Sequence, residues 1–313
     1  MLKMPFPYFG GKSQAAAAVW VALGDVRNYV EPFAGSCAVL LGRPAPFAGP
    51  ETLNDYSCQL VNAIRAIRSA PEELAKLCVG PVCEVDTEAQ HCQLVSRADE
   101  LRAALGDPDH YDVRLAAWWV KGACEWIGSG WSSGEGPWQW SREKGWTKRD
   151  AGTGVNRKLP HLGDAGKGVN RQLPHLGNAG KGERALRVEW LSGWLRALSD
   201  RLVSVRIACG DFERVLSDSV TTKHGLTGVF LDPPYDGTEY VYGGKVAVSQ
   251  RVREWCAAHG SDPRLRIVLA GRGSEHDALG WRRVGWSARR GYADHAERAT
   301  EALWISPGCF RRA

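Results

Sequence analysis

An α/β fold built on an open, mostly parallel sheet is what the sequence predicts, on three observations. The apolar run Gly228-Val229-Phe230-Leu231 is short and stops at Asp232-Pro233-Pro234-Tyr235, as a buried strand does when its carboxyl end opens into a crevice. Val30-Glu31-Pro32-Phe33-Ala34-Gly35, followed by Ser36 to Leu40, reads as strand, glycine turn and helix, the first βα unit of such a sheet. Thr52-Leu53-Asn54-Asp55 ends a second strand on a carboxylate, twenty residues past Gly35, where ribose hydroxyls are accepted in nucleoside sites.

The remaining elements follow in chain order. Ser57 to Ser69 reads as an amphipathic helix with Leu60, Val61, Ile64 and Ile67 on one face. Leu94 to Leu105 and Val113 to Ile127 also read as helices. Arg201 to Ala208 is expected to form the third core strand, Val229 to Leu231 the fourth, Arg266 to Ala270 a fifth and Ala302 to Ser306 a late one. The order implies a split core, residues 1–70 and 196–313, around an insertion at 71–195.

The chemistry of the Asp-Pro-Pro-Tyr turn is specific. Both prolines fix φ and lack an N–H, so the segment leaves the ladder and presents carbonyl oxygens from a stiff turn. An exocyclic amine has two N–H donors, which the Asp232 carboxylate and the Pro233 carbonyl can accept while Tyr235 stacks on the ring. An ordinary strand-ending turn is the competing reading, since Pro and Asp are common in turns. Gly10-Gly11-Lys12-Ser13 is not a phosphate loop, because Phe6 stands where that pattern needs its first glycine.

Taken together, Tyr8-Phe9-Gly10-Gly11-Lys12, Glu31-Pro32-Phe33-Ala34-Gly35, Asn54-Asp55, Gly210-Asp211-Phe212 and Asp232 to Tyr235 make the chain resemble the Dam-like class of S-adenosylmethionine-dependent DNA adenine methyltransferases. The resemblance covers about residues 5–69 and 200–306. It implies a Rossmann-like methyltransferase sheet with an inserted, mainly helical and loop-rich target-recognition domain. It implies a cofactor pocket for S-adenosylmethionine lined by Tyr8, Lys12, Glu31, Phe33, Gly35, Asp55, Asp211 and Phe212, and a catalytic segment Asp232, Pro233, Pro234 and Tyr235 that holds the target adenine. Cys37 departs from the pattern, standing where the family often has a second glycine, so a shifted cofactor fit is expected there. A base inside a duplex cannot reach such a pocket and must be flipped out. Tyr240 and Tyr242 either help to cover it or are surface tyrosines of a loop.

Composition agrees with a globular chain: 313 residues, 44% hydrophobic and 24% charged. No apolar stretch is long enough to span a bilayer and Met1 to Phe6 is not a secretory signal, so a cytoplasmic protein without membrane contact is expected. Nine scattered cysteines point to reduced thiols, and Cys78, Cys83, His91 and Cys92 fit no zinc spacing, so no metal is expected.

The net charge of +5 is unevenly placed. Residues 142–187 hold eleven Lys and Arg against four Asp and Glu, a local net of +7. That segment contains a fourteen-residue repeat, Gly154 to Lys167 and Gly168 to Lys181, differing only at Lys158/Gln172 and Asp164/Asn178. Arg157, His161, Arg171 and His175 are the expected DNA contacts, to phosphates or base edges; a duplicated loop without contacts is the alternative. Seven of the fourteen tryptophans fall between Trp118 and Trp146, for packing or for stacking on bases.

Double-stranded DNA is therefore the expected partner. RNA or cytosine-amino methylation, and a catalytically inactive DNA-binding protein on this fold, remain open. So do a cognate restriction enzyme, a phage role, the recognition sequence and the oligomeric state.

Overall fold

Chain path and local pattern together divide the molecule into two units, one made of Met1–Lys3, Gly11–Tyr56 and Ser204–Ala313, the other of Met4–Gly10 and Ser57–Val203. The computed structural model describes residues 2–8, 11–45, 49–80, 83–126, 131, 138–141, 143, 145–148, 184–234, 248–286 and 301–310.

The first unit is a sheet with helices. Its strands are β1 (Asn28–Glu31), β2 (Glu51–Asp55), β5 (Arg206–Cys209), β6 (Thr227–Leu231), β7 (Leu265–Arg272), β8 (Arg282–Trp286) and β9 (Glu301–Ile305). Among the described residues they form one seven-stranded sheet in the order β5-β2-β1-β6-β7-β9-β8. The first five run parallel, and only β9 is antiparallel to its neighbours β7 and β8. Every residue of β1 and β6 is buried, as expected of central parallel strands covered on both faces. This is the Rossmann-like sheet that the sequence implies. Its helices are α1 (Ala16–Leu23), α2 (Ala38–Leu41) and α9 (Val248–His259).

Val30, Val229, Leu231, Val252, Ile267, Leu269 and Trp304 share one apolar core with Phe212. Burial there explains why β-branched and aromatic residues dominate these strands. A buried ion pair also lies in this unit: Arg43 Nη1 meets Glu51 Oε1 at 3.0 Å, while Arg43 Nη2 donates to the Val26 carbonyl at 2.6 Å.

The second unit is mainly helical, with α3 (Cys58–Ser69), α4 (Pro71–Cys78), α5 (Glu84–Ser96), α6 (Ala98–Ala104), α7 (Val113–Glu125) and α8 (Arg184–Leu202), plus an antiparallel pair, β3 (Trp138–Ser141) and β4 (Gly145–Lys148). Ser57 caps α3 by accepting from Leu60 N at 3.3 Å, and Asp112 caps α7 by accepting from Leu115 N at 2.9 Å. Leu60, Val61, Ile64 and Ile67 are all buried, as the amphipathic pattern required.

Gly122 allows Trp131 to lie against α7, since a Cβ at that position would overlap the indole. Trp126 and Trp131 in turn enclose His91, with ring centroids at 4.6 and 5.6 Å, and His91 Nδ1 lies 2.7 Å from the Trp131 carbonyl. His91 is thus a packed core residue beside tryptophans. Among the described residues no group of His, Cys, Asp and Glu gathers in a way that could hold a metal ion.

Three expectations are corrected. Arg201 to Ala208 is not one strand: α8 runs through Leu202, and β5 begins only at Arg206. Leu191, Leu195, Leu198 and Leu202 are all buried at helical spacing, and that stripe carries the helix past Arg201. Leu94 to Leu105 is broken at Arg97, which separates α5 from α6, and α7 stops at Glu125, before Ile127. Among the described residues, no helix is long and apolar enough to cross a membrane and no disulfide joins the cysteines.

Candidate active site

Parallel pairing brings the carboxyl ends of β1, β2, β5 and β6 to one edge of the sheet. The chain leaves β1 toward β2 on one side and returns beside it as β6 on the other, so this edge contains the topological switch point where open α/β sheets bind ligands.

Asn54 ties the loops at this edge together. Its amide Nδ2 donates to the Pro32 carbonyl at 3.0 Å and to the Gly210 carbonyl at 2.9 Å. The Asn54 backbone carbonyl accepts from Ala34 N at 2.9 Å, and Asp55 Oδ2 accepts from Gly35 N at 3.0 Å. Gly35 has φ +45°, and Cys37 adopts φ +51°, a left-handed backbone that a side chain rarely takes. The Cys37 side chain is buried, and Cys37 N donates to the Ala34 carbonyl at 2.6 Å. The departure from glycine is therefore accommodated inside a tight turn.

Phe33, on the loop after β1, and Phe212, which opens a short 3-10 helix after β5, stack with centroids 5.4 Å apart. Asp211 lies beside them. Its Oδ1 accepts from Glu213 N at 3.0 Å and from Arg251 Nη2 at 3.0 Å, and its Oδ2 accepts from Arg251 Nη1 at 2.9 Å. Arg251 holds the Asp211 carboxyl below its ordinary range.

At the end of β6, Asp232 Oδ2 meets Lys12 Nζ at 2.9 Å; Lys12 is 4% exposed and Asp232 18%. Two further carboxyls feel this pair. Burial pushes Glu301 upward, with Asp232 adding to the shift and Lys12 opposing it. Glu31 is buried among strands, and its Oε2 accepts from Tyr29 Oη at 2.9 Å and from Leu40 N at 3.1 Å. Burial lifts the Glu31 carboxyl to about 8.

Of the residues singled out in the sequence, Lys12, Glu31, Phe33, Gly35, Asp55, Asp211, Phe212, Asp232, Pro233 and Pro234 all lie in the sheet unit. Glu31 is turned into the core, where it anchors the start of α2. Phe212 is 3% exposed, with Phe33 and the Arg251 guanidinium against its ring, so Phe33 offers the more accessible face. Tyr8 belongs to the other unit. Tyr235, Tyr240, Tyr242, Arg157, His161, Arg171 and His175 lie outside the described residues.

Sequence reading missed Arg251 and Glu301. Arg251 sits forty residues from Asp211 on an ordinary charged helix and carries no motif. Glu301 did leave a trace, as the one acid opening the apolar strand Glu301-Ala302-Leu303-Trp304-Ile305.

The seven-stranded, mainly parallel sheet is consistent with a Rossmann-like methyltransferase fold. Residues 8–79 match the family model of D12 class N6 adenine-specific DNA methyltransferase. That match shows the Dam-like resemblance of the chain and supports an enzyme that methylates adenine in DNA. No curated protein matches the chain.

Proposed function

We propose that this chain transfers a methyl group from S-adenosylmethionine to the exocyclic amine of an adenine turned out of duplex DNA. The observation that carries the reading is Asp232, ion-paired with Lys12 at the end of β6 and followed by two prolines, at the sheet edge that also holds Asp55, Asp211 and Phe33.

These residues fit an adenosyl cofactor. Asp55 suits the ribose hydroxyls, Asp211 an amine of the base, Phe33 its face, and the turn at Gly35 permits close backbone approach. The bound cofactor supplies an electrophilic methyl on a sulfonium. The rest of the chemistry belongs to the chain.

Adenine's amino nitrogen is a weak nucleophile because its lone pair is delocalised into the ring. Asp232 and the Pro233 carbonyl accept both N–H bonds, which favours pyramidal nitrogen and aims the lone pair. Lys12 holds the Asp232 carboxylate in place for this. Tyr235 replaces part of the stacking lost on flipping. The helical unit with the basic repeat serves target recognition, through Arg157, His161, Arg171 and His175.

Labelled methyl transfer to mixed-sequence duplex DNA, followed by digestion to nucleosides and mass identification, tests the reading. Methylated deoxyadenosine from the wild type, and none from Asp232→Ala at intact cofactor affinity, is the expected result. A methylated ribonucleoside or cytosine, or cofactor binding without transfer to any nucleic acid, overturns it.

A further inference from the structure

The Asp211 carboxylate has a countable capacity. Two oxygens offer about four lone-pair sites. Oδ1 uses both of its sites, on Glu213 N and Arg251 Nη2. Oδ2 uses one, on Arg251 Nη1. A single acceptor site is left, on Oδ2.

Arg251 is itself fixed from several sides. Its Nε donates to Glu213 Oε1 at 3.1 Å, and its Cζ lies 4.9 Å from the centroid of the Phe212 ring. The fork is therefore bidentate on Asp211, braced by Glu213 and laid on an aromatic face. Gly210 N donates to the Asp55 carbonyl at 3.0 Å, which ties the loop carrying the half-exposed Asp211 to the end of β2, and Phe212, the next residue, stacks on Phe33.

We propose that Arg251 is a positioning residue of the cofactor site, which orients Asp211 so that its one remaining acceptor receives an N–H of the cofactor's exocyclic amine. This rests on the methyltransferase reading and goes beyond it by assigning base discrimination to a residue outside every motif. An oriented anion with one open lone pair accepts the amino group of adenine. It repels the oxo group that hypoxanthine carries at the same ring position, since both atoms are then acceptors. Lysine cannot reproduce the fork, because it places a single ammonium where Arg makes two parallel bonds.

Calorimetric binding of S-adenosylhomocysteine and S-inosylhomocysteine to the full chain tests this, with Arg251→Ala and Arg251→Lys beside the wild type. Loss of an oriented, charge-assisted contact predicts that S-adenosylhomocysteine weakens about tenfold in Arg251→Ala, with Arg251→Lys in between. The wild-type preference for the adenosyl over the inosyl ligand falls in parallel. A purely structural ion pair would lower the melting temperature and leave that preference unchanged. Equal affinities and an unchanged preference in both folded variants overturn the assignment, as does tighter adenosyl binding in Arg251→Ala, which would make Arg251 a competitor for Asp211. Should the wild type bind neither ligand, the methyltransferase reading itself fails. A wild type that binds while the variants are unaltered removes Arg251 alone.

Discussion

Lys12 and Asp232 form a pair more than four-fifths out of water, so removing one partner leaves the other charge poorly solvated. Lys12→Met is expected to cut methyl transfer by about ten- to a hundredfold, corresponding to about 1–3 kcal/mol for the loss of a charge-assisted partner of Asp232, with folding retained. Activity within twofold of wild type would show that Asp232 is oriented by other groups. Glu31 gives a separate prediction about pH. Its carboxyl rises from 4.5 to about 8 because it is buried, so the folded chain keeps a proton that the unfolded chain releases. The stabilisation is complete below pH about 4.5 and is lost as pH climbs through about 8. Glu31→Gln keeps an oxygen for Tyr29 and Leu40 and cannot ionise. Its melting temperature should therefore fall less than that of the wild type between pH 5 and 8.5, and parallel curves from the two proteins would refute this role.

Among the elements, β1, β2 and β6 were legible because their signals are local. Val229 to Leu231 is an unbroken apolar run closed by prolines, and Ser57 is a capping residue ahead of an amphipathic stripe. The Arg201 to Ala208 segment was misread because its first two residues finish a leucine stripe that starts far upstream, while β5 itself has one exposed arginine and only one fully buried position. β8, Arg282–Trp286, went unread because a charged edge strand lacks the alternation that marks a half-buried one. Arg251 was invisible for a different reason: its meaning lies in Asp211 and Glu213, which only the fold brings to it. The Asn54 amide is likewise a link between loops. Asn54→Ala removes the donor to Pro32 and Gly210 and leaves two carbonyls without it, at a cost of about 2–3 kcal/mol. Denaturant unfolding should show that loss, and S-adenosylmethionine affinity should fall with it because both loops frame the site. Unchanged affinity would place the cofactor elsewhere.

For the whole molecule, charge is unevenly placed: residues 142–187 carry +7 while the rest of the chain is at −2. If the repeat grips the DNA backbone, Arg157→Ala with Arg171→Ala should weaken duplex binding and lower the slope of log K against log salt by about 2, roughly one per phosphate contact. Unchanged affinity and slope in the double variant would mean that the repeat does not touch DNA. The sheet unit also has an unusual history written into its connectivity. Asn28 on β1 meets Thr227 across 199 positions, and β2 waits for β5 until Cys209 has been made. On the ribosome, the whole helical unit emerges while β1 and β2 still lack these outer neighbours. A chain cut short anywhere between 57 and 205 thus carries two bare, apolar strand edges and nothing of its own to cover them, and premature termination yields a species prone to aggregate as well as an inactive one.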